Sequence, residues 1–182
     1  TIQPAIASLG AQTYSRWEHV VQDGGSTDDT LALLKRLADP RRIIVSERDA
    51  GIYDALNRAC GRCTGDVIGV LHSDDFYPSE DVLETVAARF IDDDVDAVYG
   101  DLEYVESSNP ERVIRCWKSG DYRPARLKWG WMPPHPALFI RRQVFEKFGG
   151  YDDKLSIAAD YDAMLRWIVQ GNLRIGYIPH VL

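Results

Sequence analysis

Residues 67–75 decide how we interpret this chain, and they read Val-Ile-Gly-Val-Leu-His-Ser-Asp-Asp. The apolar, largely β-branched run at 67–71 predicts a buried strand that is central in a parallel sheet. Two adjacent carboxylates, Asp74 and Asp75, then follow at the strand end where open α/β sheets bind their ligands. Neighbouring acids repel unless water or a cation relieves them, and Mg²⁺ or Mn²⁺ prefers such oxygen ligands. An acidic strand-to-helix turn explains the pair equally well, because Asp and Ser commonly cap helices.

The composition narrows the classes of function. The chain has 182 residues, of which 45% are hydrophobic and 27% charged, as in one ordinary globular domain. Its formal net charge of −7 argues against a nucleic-acid partner. No apolar run approaches the roughly 20 residues of a membrane span. The three cysteines, Cys60, Cys63 and Cys116, form no secreted disulfide framework, so we expect free thiols, half-buried at 60 and 63, in a reducing cytoplasm.

Helical and strand-like patterns alternate along the first hundred residues. The predicted helices lie at 1–11, after 26, at 52–60 and at 79–90, and the predicted strands at 17–22, 42–47, 67–71 and 97–99. This alternation indicates an α/β domain with a mostly parallel sheet. The second half differs, with a predicted hairpin of 102–105 and 113–118, a strand at 137–140, and helices at 142–148 and 157–169.

Five motifs follow one another along the chain: Val-Val-Gln-Asp-Gly-Gly-Ser-Thr-Asp at 20–28, Asp-Ala-Gly-Ile-Tyr-Asp-Ala-Leu-Asn at 49–57, Leu-His-Ser-Asp-Asp at 71–75, Phe-Gly-Gly-Tyr-Asp at 148–152, and Ala-Asp-Tyr-Asp at 159–162. In this order they resemble the family 2 glycosyltransferases, which have the GT-A fold. The second and fourth motifs, with His135-Pro136, resemble the bacterial branch that builds surface polysaccharides. The resemblance covers nearly the whole chain.

The resemblance implies an architecture. It predicts a Rossmann-like, mostly parallel sheet flanked by helices, with a small antiparallel portion on the acceptor side. Residues 1–182 would form one GT-A domain, with a nucleotide-sugar half at 1–101 and an acceptor half at 102–182. The family begins with a central β-strand, whereas this sequence begins with the helix that should follow it. We therefore expect an amino-terminally truncated domain that lacks its first strand.

The resemblance also implies roles for single residues. Asp23 would bind the uracil or ribose of a UDP-sugar, and Asp54 and Asp74 would also contact the nucleotide. Asp75 would be the ligand of Mn²⁺ or Mg²⁺ at the diphosphate, where a cation neutralises the charge of the leaving group. Asp160 would be the catalytic base that takes the proton of the acceptor hydroxyl. A single displacement with one base inverts the configuration at the anomeric carbon.

Other polar and aromatic residues have a functional and a structural interpretation. His135 and Trp131 would face the acceptor or the diphosphate, but a cap among prolines and burial under a loop explain them as well. Strand alternation would turn His72 away from Asp75. Asp162 lies about 200° around the predicted helix from Asp160, so we expect a structural role for it.

Three functions remain open on these grounds. The first is an inverting glycosyltransferase that uses a nucleotide-sugar donor and a saccharide or lipid-linked acceptor in polysaccharide biosynthesis. It would work in the cytoplasm or at the inner face of the plasma membrane, with peripheral association through parts outside this sequence, and as a monomer or homodimer. The second is a non-catalytic nucleotide-sugar-binding domain. The third, a sugar nucleotidyltransferase, needs a Gly-rich loop with Arg after the first strand, and no such loop occurs here.

Overall fold

The computed structural model describes residues 2–182 and shows helices and strands in alternation. The helices are α1 (Ile2–Gly10), α2 (Thr30–Arg36), α3 (Ile52–Arg62), α4 (Val82–Asp92), α5 (Pro124–Leu127), α6 (Arg142–Phe148) and α7 (Ala159–Leu165). The strands are β1 (His19–Asp23), β2 (Arg42–Ser46), β3 (Val67–Gly69), β4 (Ala97–Glu106), β5 (Asn109–Trp117), β6 (Leu138–Arg141) and β7 (Ile175–Val181). The predicted α/β class is confirmed, and the predicted start of the first helix at Thr1 lies outside the described residues.

The strands form two separate sheets. Strands β1 and β2 pair in parallel, with Asp23 opposite Ser46 at their carboxyl ends. The second sheet has the order β3-β6-β4-β5, and β7 pairs with β4 in parallel. The hairpin of β4 and β5 confirms the predicted antiparallel portion, although β4 is longer than expected.

The expectation of a mostly parallel sheet is wrong for the larger sheet. Strand β6 lies between β3 and β4 and is antiparallel to both. The chain reaches β6 only after the hairpin and a long loop, and it can therefore enter the sheet from the opposite end. Parallel pairing remains where a helical connection returns the chain to the same end, as it does between β1 and β2 through α2.

A cleft of about 490 Å³ separates the two sheets. The edges of β1 and β3 face it through Val20 and residues 67–69, and α3 and α4 contribute apolar walls that include Cys60 and Val86. No hydrogen-bonded pairing joins β1 to β3 within residues 2–182. The cleft is therefore bordered by two strand edges and covered by apolar side chains, which is the environment of a strand in the middle of a sheet.

Three local features differ from the prediction. Strand β3 ends at Gly69, so residues 70–75 form a loop. The predicted helix at 157–169 begins at Ala159 and continues as a π-helical segment, Arg166–Gln170. Strand β7 was missed, although Ile175, Tyr177 and Ile178 are β-branched or aromatic residues that strands favour.

The cysteines agree with the prediction of free thiols. Cys60 is buried, Cys63 is half-buried, and both are free, as is the exposed Cys116. Burial raises the pKa of Cys60 to about 12 and that of Cys63 to about 11, so neither is a reactive thiolate at neutral pH. No helix among residues 2–182 combines the length and the apolar character needed to cross a bilayer.

Candidate active site

The loop after β3 presents the acidic pair. The backbone N–H of Asp75 donates to the carbonyl of His72 at 3.2 Å, which closes a tight turn. Asp74 is exposed on this turn, whereas Asp75 is half-buried. Burial raises the pKa of Asp75, as does the charge of Asp74, and the nearby His72 opposes the shift. A carboxylate in these surroundings is stabilised by a nearby cation or by binding a proton.

His72 lies close to a second histidine. Its ring centroid is 5.5 Å from that of His135, which begins a 3-10 turn at His135–Ala137 before β6. His135 Nε2 lies 2.9 Å from the hydroxyl of Tyr151, and both side chains are buried. The alternation that would turn His72 away from Asp75 does not apply, because the strand ends at Gly69. Sequence reasoning thus wrongly turned His72 away from the site, and it gave Tyr151 no role of its own.

Two of the sequence motifs meet to hold Tyr151 in place. The Asn57 side chain donates to the carbonyl of Tyr151 and accepts from its N–H, both at 2.8 Å. A Cβ atom at Gly150 would lie 2.2 Å from Asn57 Oδ1, so this position has no room for a side chain. On the other side, Trp167 Nε1 donates to the carbonyl of Gly149 at 2.8 Å. The motif at 49–57 therefore fastens the motif at 148–152.

Asp160 occupies the second position of α7 and is half-buried. Ala158, which caps this helix, has a φ of 64°, a conformation that costs an L-residue free energy. No hydrogen bond to the Asp160 carboxylate occurs among residues 2–182. Its negative charge tends to raise the pKa values of both His135 and Tyr151. His72 and His135 thus connect the Asp75 turn to Tyr151, and Asp160 acts on His135 and Tyr151 through its charge.

Asp162 is engaged in local structure. Its carboxylate accepts from Arg166 Nε at 2.9 Å, one helical turn further on. Arg166 also donates to the carbonyl of Phe148 at 2.7 Å and to that of Gly150. Asp162 therefore steadies the arginine that holds the turn before α7, and its carboxylate points into this network.

Asp23 lies at the carboxyl end of β1 and is buried. Its Oδ2 atom accepts from the N–H groups of Gly25 and Ser26 at 3.1 and 3.0 Å, and from Ser46 Oγ at 2.6 Å. Desolvation opposes ionisation, but these hydrogen bonds lower its pKa, so the carboxylate is charged. No hydrogen bond to Oδ1 occurs among the described residues, which leaves one oxygen for a ligand.

Asp54 is already occupied by its neighbours. Its carboxylate accepts from the N–H of Ala50 at 2.8 Å and from Arg58 Nε at 2.9 Å. These bonds lower its pKa and order the loop before α3. Within residues 2–182 no hydrogen bond links Asp54 or Asp23 to the group around Asp75 and Asp160.

Trp131 packs against two tyrosine rings and an arginine. Its ring lies 5.9 Å from Tyr99 and 6.2 Å from Tyr122, and the Arg126 guanidinium stacks 4.8 Å from its centroid. Its indole N–H is buried without a hydrogen-bond partner among the described residues. Trp129, two residues earlier, is 89% exposed. The two tryptophans therefore have different surroundings, which the sequence did not distinguish.

The acidic turn fits one way of holding a divalent cation. No group of three or more His, Cys, Asp or Glu side chains suited to a metal comes together in the described part of the chain. Mg²⁺ is, however, commonly held by one or two carboxylates together with the phosphates of a substrate. Asp75, half-buried and next to Asp74, fits that arrangement and would bind the ion with the nucleotide.

The buried His135 and the half-buried His19 predict a loss of stability in acid. Burial lowers the pKa of His135 and that of His19 to about 4, from an ordinary value of 6.5. Between these values the unfolded chain binds protons that the folded chain does not, so stability is full above pH 6.5 and falls towards pH 4. Denaturant midpoints measured across this range should show the decline, and the double variant His19→Gln/His135→Gln should flatten it. An unchanged slope in that variant would contradict the assignment.

Solved structures show which class of protein has this fold. A mannosyltransferase from Pyrobaculum calidifontis, PcManGT, solved with GDP-Man and Mn²⁺, superimposes with a TM-score of 0.73 at 22% identity, over 99% of this chain and 51% of that one. Residues 1–349 of S. aureus TarS, solved with UDP-GlcNAc, superimpose with a TM-score of 0.77 at 18% identity, over 97% and 52% of the two chains. The predicted GT-A fold is confirmed.

Sequence comparison gives the family. Residues 1–149 match Glycosyl transferase family 2, and the chain belongs to this family. A PGL/p-HBAD biosynthesis glycosyltransferase of Mycobacterium bovis is 36% identical over 165 residues, which are 88% of this chain and 62% of that protein. The chain thus spans less than two thirds of the length of this relative.

Proposed function

We propose that this protein is an inverting glycosyltransferase that moves a sugar from a UDP-sugar to the hydroxyl of a saccharide or lipid-linked acceptor in polysaccharide biosynthesis. The main support is Asp160, a half-buried carboxylate at the start of α7 without a hydrogen-bond partner among residues 2–182, in a chain that belongs to family 2. His72 lies 5.5 Å from His135, ring to ring, and its carbonyl accepts from the N–H of Asp75. A carboxylate free to act as a base, in a chain that also presents an acidic turn, suits a reaction between a hydroxyl and a nucleotide-activated sugar.

The chemistry follows from these positions. The acceptor oxygen attacks the anomeric carbon as the bond to the UDP oxygen breaks, and UDP leaves with the electron pair. Asp160 takes the proton of the acceptor hydroxyl, and the single displacement inverts the anomeric centre. A cation held at Asp75, when bound, would neutralise charge on the leaving diphosphate. His135 is neutral at pH 7 because it is buried, so it can exchange a hydrogen bond with Tyr151 without adding charge beside the base.

The donor end of the site is assigned to the turn after β1. Asp23 keeps Oδ1 free while its own turn holds Oδ2, which suits a single hydrogen bond from the imide N–H of uracil. Asp74 would contact the ribose from the exposed side of its turn, and Asp54 would act through the loop that it orders. We place the protein in the cytoplasm or at the inner face of the plasma membrane, where nucleotide sugars are available.

A non-catalytic nucleotide-sugar-binding domain is the second candidate. The missing contact between the Asp23 turn and the Asp75 turn favours it, since nothing among residues 2–182 draws the two together. The unengaged Asp160 favours turnover, because a domain that only binds the nucleotide does not need a free base at the start of α7. Measured sugar transfer separates the two.

Calorimetric titration with UDP tests the donor end. We expect UDP to bind, and to bind more tightly when Mn²⁺ is present, with a matching rise in melting temperature because the ligand binds only the folded state. Asp75→Asn should remove the part of the affinity that depends on Mn²⁺. Asp92→Asn on α4 makes the same change in charge at an exposed position and should leave binding unaltered.

Two results would revise the proposal. UDP binding that is the same with and without Mn²⁺ would contradict the role of Asp75. Tighter binding of GDP than of UDP would show that the donor is a GDP-sugar and not a UDP-sugar. Both kinds of nucleotide sugar occur in the solved structures with this fold.

A further inference from the structure

Positive charge is concentrated in one segment of an acidic chain. Residues 112–128 contain six of the 21 Lys and Arg residues, all exposed, and a single acid, although the chain has 28 acids and a net charge of −7. The six are Arg112, Arg115, Lys118, Arg123, Arg126 and Lys128. Of these, only Arg112 forms a salt bridge within residues 2–182, with Glu106 at 3.0 Å. The segment is therefore positively charged although the whole chain is negatively charged.

Large apolar side chains are exposed in the same segment and directly after it. Trp129 is 89% exposed, Ile114 is 68% exposed, and Val113 is 46% exposed. Arg115 spreads over the rings of Tyr104 and Trp117, at 5.6 and 5.7 Å from their centroids. We call residues 112–129 the basic rim. Exposed Trp and Arg together are typical of surfaces that meet a bilayer at the level of its headgroups.

The basic rim lies next to the proposed base. The hydroxyl of Tyr161, the residue after Asp160, donates to the carbonyl of Leu127 at 3.1 Å. Leu127 is the buried end of α5, and its neighbours Lys128 and Trp129 are exposed. The hydroxyl of Tyr99 donates to the carbonyl of Gly120 at 2.6 Å and fixes the other end of this loop to β4. The rim is thus attached to the framework that carries the site.

We propose that the basic rim binds the surface of an anionic phospholipid membrane and holds the acceptor side of the site against it. The unpaired cations match the charge of the headgroups, and Trp129 and Ile114 provide apolar contact with the interface. A soluble polyanion would bind the cations but would make no apolar contact with the exposed Trp129. This inference rests on the proposed function and adds where the acceptor is bound. Vesicle binding is measured without sugar transfer, so membrane binding and glycosyltransferase activity can each be refuted independently.

Sedimentation with lipid vesicles tests the proposal. The protein should bind vesicles of phosphatidylcholine mixed with phosphatidylglycerol much better than vesicles of phosphatidylcholine alone, and added salt should weaken binding. The triple variant Lys118→Gln/Arg123→Gln/Lys128→Gln should bind roughly 10²-fold more weakly, because each basic residue near such a surface contributes about a factor of five. Trp129→Ser should weaken binding by a factor that salt does not change.

A matched variant controls for net charge. Lys35→Gln/Arg36→Gln/Lys154→Gln removes the same three charges from exposed positions outside the rim and should bind like the unaltered protein. Equal losses in the two triple variants, or equal binding to both kinds of vesicle, would overturn the proposal. If Trp129→Ser bound vesicles as well as the unaltered protein, and soluble polyphosphate displaced the protein from the vesicles, the ligand of the rim would be a soluble polyanion and the proposal would be overturned. Circular dichroism of each variant confirms that it is folded.

Discussion

Asp160→Asn should lower the rate of sugar transfer by roughly 10²–10⁴-fold while leaving the affinity for the UDP-sugar almost unchanged. The amide has the shape of the carboxylate but cannot accept the proton of the attacking hydroxyl. Because Asp160 has no hydrogen-bond partner among residues 2–182, its replacement removes little from the folded state. The measurement is turnover with donor and acceptor at saturation, together with calorimetric binding of the donor.

Asp162→Asn is the internal control on the same helix. It should reduce turnover much less, but it should lower the melting temperature, since Arg166 loses the carboxylate that it contacts at 2.9 Å. The two variants thus separate a chemical effect from a structural one. Near-full activity of Asp160→Asn would refute the proposed mechanism, even though membership of the family would stand.

Filling the cleft between β1 and β3 should have the largest effect on stability. We propose that an extended apolar strand belongs there, parallel to β1. Extending the amino terminus with an apolar strand sequence should raise the free energy of unfolding by roughly 2–5 kcal/mol. This figure sets the burial of four or five apolar side chains against the entropy of ordering them. Denaturant midpoints of the two versions measure the difference.

A second extension of equal length, made of Gly and Ser, is the control for this experiment. It has the same chain length but no apolar side chains for the walls formed by α3 and α4, so it should leave the midpoint unchanged. The version without the strand should also self-associate more, because unpaired strand edges are sticky. Identical midpoints for the apolar and the Gly-Ser extension would show that the cleft does not take a strand.

The sequence by itself determined the features that depend on neighbouring residues. Apolar spacing placed α3 and α6 within two residues of their observed ends, and turn residues placed the hairpin of β4 and β5. Such patterns can be recognised in the sequence because the repeat of a helix or a strand spans only two to four residues. The order of the five motifs was sufficient for the family, and the match to that family at residues 1–149 contains the first three of them in full.

The tertiary structure decided which of these pieces became neighbours. Strand β6 lies between β3 and β4, and Asn57 reaches Tyr151 across 94 positions of sequence. His72 meets His135 only because β3 ends at Gly69, and His135 is uncharged only because the surrounding core excludes water. Likewise, similar local sequence left Trp129 exposed and packed Trp131 against Tyr99. Contacts of this kind depend on how distant segments pack together and on the solvent that this packing excludes, and no local pattern encodes either.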